Sequence, residues 1–281
     1  MESRGSTIPQ HRTAKATSIM TTNEEHKTIL WWRILSALAV FNILLWGATA
    51  ATVGTDAPYV KWHLLLSGIY TAVCAFRSFL PRIDLERYCM VDSMASSMVA
   101  GRSAATIAEI SFAIQIGLLM HEMGGAANVA WVQSMTMPVI VLLTTAQGLC
   151  WFGLITLNHL GHAIEESLWA ITFAIVGAGM GVCAPNLEGT WQTVGYAGAI
   201  LCTGYVLFMV IVDVPMYLKR WHAGKTNGEK KLPLAEGFHD ALTRRVVTRD
   251  WAIWKPEVAW LTGYFSGAVW VSIALAHLPR G

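Results

Sequence analysis

The stretch from Met94 to Met120 reads MASSMVAGRSAATIAEISFAIQIGLLM. Most of it is apolar or small, and it is long enough to cross a bilayer, which takes roughly 20 helical residues at about 1.5 Å rise each. Yet it carries Arg102 and Glu109. Their spacing puts them on one helical face two turns apart, with Thr106 between them. A charge facing lipid costs several kcal/mol, so both side chains are expected to face protein, water or a ligand. The small residues around them (Ser96, Ser97, Ala100, Gly101, Ala104, Ala105 and Ala108) would let neighbouring helices come close.

The whole chain has the same character. Of its 281 residues 54% are hydrophobic and only 14% are charged, against about 25% charged in soluble domains. A net charge of +2 gives no argument for a nucleic-acid partner. Cys74, Cys89, Cys150, Cys183 and Cys202 form no CxxC pair, so neither a disulfide framework nor a structural zinc site is expected. Many of the 13 tryptophans stand at the ends of apolar segments, as interfacial anchors do.

The expected fold is all-α: a polytopic integral membrane protein built as a seven-transmembrane-helix bundle. Residues 1–28 read as a disordered polar tail, and 29–281 as a single membrane domain. Apolar segments lie near 30–52, 60–80, 94–120, 131–152, 164–184, 194–213 and 257–277. Pro58, Pro81, Pro185, Pro215 and Pro256 fall at or near segment ends, and Pro138 inside the fourth segment is expected to kink it. Seven crossings put the tail and the second, fourth and sixth loops on one side. That side collects nearly all of the 20 basic residues, leaving only Lys61 and Arg280 opposite. The N-terminus is therefore expected to be cytoplasmic and the C-terminus outside. In the 214–256 loop, Leu234, Phe238, Leu242 and Val246 recur every fourth residue, the pattern of an interfacial amphipathic helix.

This topology brings several polar groups to one depth. Arg77 ends the second segment and Arg102 opens the third, with Glu109 deeper. Asn158-His-Leu-Gly-His-Ala-Ile-Glu-Glu166 joins the fourth and fifth, and Asp213 ends the sixth. Glu109, His162, Glu165, Glu166 and Asp213 are the expected acid–base groups, since an intramembrane carboxyl is functional by default. Arg77, Arg102, Asn158 and His159 are the expected substrate contacts. His159, His162 and Glu166 are candidate ligands for a divalent metal, as imidazole and carboxylate suit zinc or non-haem iron. Plainer readings stand beside these. Arg77, Arg82 and Arg87 would serve as headgroup or orientation charges, Arg102 as a structural partner of Glu109, and Asp213 as a helix terminator. Asn42 and Gln115 would bond between helices.

Known seven-helix families are mostly excluded. Residues 257–277 contain no lysine for a retinal Schiff base of the heliorhodopsin kind. Of the last-helix histidine pair of adiponectin-receptor-like hydrolases only His277 is present. The reading that follows is an intramembrane enzyme of isomerase, cyclase or hydrolase type, acting on an apolar or lipid-like small molecule from a cytoplasm-facing cavity. Its cofactor is left open. The alternatives are a proton-coupled transporter or channel, and a non-catalytic subunit or cofactor-binding scaffold.

Overall fold

The computed structural model describes residues 10–54 and 56–278, with side chains from Glu24 onward. Most of the polar tail, including Arg4, Arg12 and Lys15, lies outside the described side chains, as does Arg280. Helix α1 runs Gln10–Thr52 and α2 Pro58–Phe79, followed by two short strands, β1 (Arg82–Ile83) and β2 (Tyr88–Cys89). Helix α3 is Met98–Ala126, and a short α4, Ala130–Ser134, leads into α5, Thr136–Thr156. Next come α6 (His159–Cys183) and α7 (Gly189–Phe208). A widened π turn, Met209–Asp213, links α7 to α8, Val214–Thr226. Helix α9 is Leu234–Thr243, β3 is Val246–Val247, and the last span strings together α10 (Trp251–Trp254), α11 (Val258–Gly263) and α12 (Val269–Ala274).

Among the described residues, six helical runs are long and apolar enough to cross a bilayer: Glu24–Thr52, Met98–Ala126, Thr136–Thr156, His159–Asn186, Gly189–Thr226 and Trp251–His277. That is the make-up of a multi-pass integral membrane protein, in which helices satisfy their own backbone groups. Helix α2 is not among the six although it has 22 residues, because Lys61, His63 and Arg77 dilute its apolarity. It packs against α1, α3 and the last span. Helix α3 in turn meets α5 and α6. Helix α7 packs on α6 and turns Ile200, Leu201 and Leu207 outward.

Local chemistry sets the helix ends, and several differ from the sequence reading. The third span starts at Met98, since Ser93 caps a single 3-10 turn and Ser97 caps the helix proper by accepting from the Ala100 amide. The fifth expected segment begins five residues early, at His159. Leu157 takes a left-handed conformation (φ 55°) that ends α5, and the Asn158 side chain caps α6 by accepting from the Leu160 amide. Pro138 falls in the first turn of α5, where a missing N–H breaks no bond and so requires no kink. The sixth segment does not stop at Asp213. The π turn carries it past Pro215 to Thr226.

The basic end of the bundle is tied together rather than left as loose loops. A three-stranded sheet of order β1-β2-β3 joins residues 82–89 to Val246 and Val247. The expected amphipathic helix is therefore shorter than its periodicity suggested: α9 ends at Thr243 and Val246 pairs with Tyr88. Leu234 and Phe238 remain outward, 61% and 47% exposed, while Gly237 sits against the Ile155 carbonyl.

Arg87 is buried and holds three segments at once. Its Nε donates to Asp240 at 3.1 Å, Nη1 to the Asp84 carbonyl at 2.6 Å and Nη2 to the Leu154 carbonyl at 2.9 Å. Arg87→Ala leaves two carbonyls without their donor and Asp240 with only the half-exposed Arg244, so thermal unfolding in detergent is expected to show a loss of about 3 kcal/mol. Arg87→Lys keeps the charge without the fork and is expected to recover less than half of that. Wild-type stability in Arg87→Ala would refute this account of the basic end.

Candidate functional site

Helix α3 supplies the centre of the site. Arg102 and Glu109 meet along one face, with Nη2 donating to Oε2 at 2.7 Å. The same Nη2 donates to Gln147 Oε1 of α5. Tyr264 of the last span donates its hydroxyl to Glu109 Oε1 at 3.3 Å. One ion pair thus links three spans, and Arg102, Glu109 and Gln147 are all buried. Thr106, between the two charges, accepts from the Trp151 indole at 2.9 Å.

A second pair lies on α6. His162 Nδ1 is 2.9 Å from Glu165 Oε2, and both side chains are buried. The ring fits because Gly153 of α5 has no side chain: a Cβ there would come within 2.9 Å of His162 Nε2. One residue earlier on α6, a Cβ at Gly161 would meet Gly153 Cα at 2.9 Å, so the two glycines set how closely α5 and α6 approach. The two pairs are neighbours. Arg102 is within electrostatic range of Cys150, Glu109, Glu165 and Asp84. Glu166 is in range of Glu165, Asp213, Glu109 and Arg102, and both Glu166 and Asp213 are half-buried.

Six of the expected residues are therefore brought together: Arg102, Glu109, His162, Glu165, Glu166 and Asp213. Two stand apart from that centre, and His159 lies at its edge. Asn158 spends its side-chain oxygen on capping α6. The His159 ring is in electrostatic range of His162 and lies 6.4 Å from the ring of Tyr217, which His162 also meets at 5.1 Å. Arg77 pairs with Asp84 at 3.5 Å and packs over the Phe265 ring. Among the described residues, Cys150, His162 and Glu165 present candidate metal-ligand atoms within 4.8 Å of one another, a set that includes neither His159 nor Glu166. Gln147, Cys150 and Tyr264 were not singled out from sequence. An amide inside an apolar segment was a usable signal for Gln147, as it was for Gln115, whereas a thiol and a phenol there are unremarkable.

The site's polar groups are not all satisfied. Arg102 Nε, Gln147 Nε2 and His162 Nε2 are buried without a hydrogen-bond partner. Buried polar atoms usually have one, and leaving one bare costs about 1–3 kcal/mol. The other end of the bundle also carries buried polar groups. Gln115 bonds His63 at 3.2 Å and the Ser272 carbonyl at 3.0 Å, all three residues fully buried. Asn42 donates to the Phe265 carbonyl at 2.8 Å. A cleft of about 230 Å³ beyond them is lined by His121, Glu122, Gly125, Ala126, Gln133 and Trp191, and contains none of the expected site residues.

No family model, no curated protein and no solved structure matches this chain.

Just outside the membrane-spanning segments, Asp84 is ringed by cations. Burial alone would raise its carboxyl, but the guanidinium groups of Arg82, Arg77 and Arg102 outweigh it and hold it at about 2. A carboxyl depressed in the folded state adds stability that is complete above its ordinary value and is lost as pH falls through the depressed one. Asp84 is therefore expected to contribute about 2 kcal/mol at neutral pH, declining from about pH 4 to about pH 2. In thermal unfolding across that window, Asp84→Asn should start lower and fall less steeply than wild type. Parallel curves would remove Asp84 as the cause.

Proposed function

We propose that the chain crosses the membrane seven times, α2 included, with its N-terminus cytoplasmic, and is an intramembrane acid–base enzyme. The crowding of α2 between α1, α3 and the last span supports the seventh crossing, because a helix covered by protein needs less apolarity than one facing lipid. The segregation of basic residues supports the orientation. Helix α9, with Leu234 and Phe238 outward, lies at the cytoplasmic interface.

The observation that carries the enzymatic reading is the set of unpartnered buried atoms around the Arg102–Glu109 pair. A pair that served only to join helices would have no use for two spare donors. Arg102 Nε and Gln147 Nε2 are placed to hold an oxygen on which negative charge develops. Glu109, paired with Arg102, takes a proton from the substrate and returns it, while Tyr264 donates to its second oxygen. His162 and Glu165 form the second acid–base or metal-holding group, with Glu166 and Asp213 beside it. The substrate is an apolar or lipid-like molecule with one polar end, reached from the basic face. The chemistry is of isomerase, cyclase or hydrolase type.

A second reading, proton-coupled transport, is favoured by the buried His63–Gln115–Ser272 cluster. Gln115 lies about 9 Å beyond Glu109 along α3, so polar groups continue toward the outer end.

The two readings separate in one paired experiment. With Glu109→Gln or His162→Ala replacing the wild-type chain in the native cells, lipid extracts are expected to accumulate one apolar species and lose another, turnover falling by about 10²-fold or more. Proteoliposomes loaded with a pH dye should show no flux beyond protein-free vesicles. Unaltered lipid extracts together with Glu109-dependent proton flux would sink the enzyme and favour the transporter.

A further inference from the structure

Cys150 of α5 and His162 and Glu165 of α6 stand out for a different chemistry. All three are buried, and one potential ligand atom from each lies within 4.8 Å of the others. They converge because α5 and α6 are joined by a tight turn at Leu157 and Asn158 and pack face to face at Gly153 and Gly161. His162 is 4% exposed. Its Nδ1 is 2.9 Å from Glu165 Oε2, and Nε2 is buried with no hydrogen-bond partner, so neither ring nitrogen is committed to a residue outside the group. An ion entering the group would replace the hydrogen bond between His162 and Glu165, leaving imidazole and carboxylate both free to ligate.

We propose that Cys150, His162 and Glu165 bind a divalent transition-metal ion, zinc above others, through thiolate, imidazole and carboxylate. Thiolate argues against magnesium and calcium, which prefer oxygen ligands. Three protein ligands with one position left open is the pattern of reactive rather than structural zinc. Charge also balances. A thiolate and a carboxylate offset a divalent cation, so the loaded site brings no net charge into the low-dielectric interior. Arg102, within range of Cys150, is already matched by Glu109. Binding displaces the thiol proton to solvent or buffer, so affinity rises with pH. The ion would sit beside the Arg102–Glu109 pair. Its use in proton transfer rests on the enzymatic reading above, but its binding does not.

The full chain, purified in detergent without chelator, is assayed for metal, then stripped and titrated with Co²⁺ alone. About one equivalent of zinc is expected as isolated or after reconstitution. Cobalt should give visible d–d bands and a strong near-ultraviolet thiolate band. Cys150→Ser should abolish the near-ultraviolet band and weaken binding by about tenfold or more, as should His162→Ala. Cys183→Ser and Cys202→Ser should leave both unchanged. A folded wild-type chain that shows no thiolate band at saturating cobalt overturns the site without reference to any variant, and so does the same band in Cys150→Ser. Stoichiometric metal with no lipid turnover would retain the site and reject the enzyme. Glu109-dependent turnover in the metal-free chain would do the opposite.

Discussion

A guanidinium placed inside a hydrocarbon slab must find acceptors within the protein, and the rest of this bundle is arranged around that need. Arg102 meets it with Glu109 on its own helix and Gln147 on α5, and Glu109 reaches the last span through Tyr264. Removing one partner of such a buried pair typically costs about 3–5 kcal/mol, because the survivor is left charged and bare. That cost fixes which face of α3 can point inward. It also explains the small residues of α3. Gly101 leaves room for the Arg82 side chain, which donates to the Ser96 carbonyl at 2.7 Å, so the basic loop can close over the start of the helix.

The basic end follows the same logic one layer up. Asp84 takes Arg77 and Arg82, and Asp240 takes Arg87. Charges that would serve well enough as loose orientation signals are instead buried and matched. Ion pairs of this kind are weak evidence of stability, since apolar replacements often do as well. What they supply here is register. Arg87 can reach Asp240, Asp84 and Leu154 together only when α9, the 80–97 loop and the end of α5 sit in one arrangement. A rigid floor of that sort keeps α5 and α6 in place where Cys150, His162 and Glu165 meet.

Charge is what made the fold and half of the site legible. Arg102 and Glu109 are conspicuous in an apolar stretch, and their spacing alone predicts that they meet. The asymmetry of Lys and Arg ordered the segments. Where the reading slipped, local backbone chemistry had the deciding vote. A left-handed Leu157 and the Asn158 cap moved the start of α6 back to His159, which commits the Asn158 side-chain oxygen to the helix end. A π turn let α7 run through Pro215. Val246 matched a helical period, yet it pairs with Tyr88 across more than 150 residues of chain, a contact that periodicity cannot register.

The uncharged half of the site was hidden for a related reason. Cys150 and Tyr264 are ordinary in a membrane helix, and each takes on meaning only through what stands opposite it. Cys150 is one turn from Gly153 on the inward face of α5, and the glycine, by offering no side chain, lets the His162 ring come in beside the thiol. Gly153 and Gly161 are packing residues. But close packing at that one level is also what gathers a thiol, an imidazole and a carboxylate from adjoining helices, so the packing residues and the chemical ones cannot be assigned separately. A bulkier residue at Gly161 would push α5 from α6 and disperse the group without altering any member of it. In a bundle whose polar groups must find one another or go unsatisfied, helix spacing is therefore part of the chemistry.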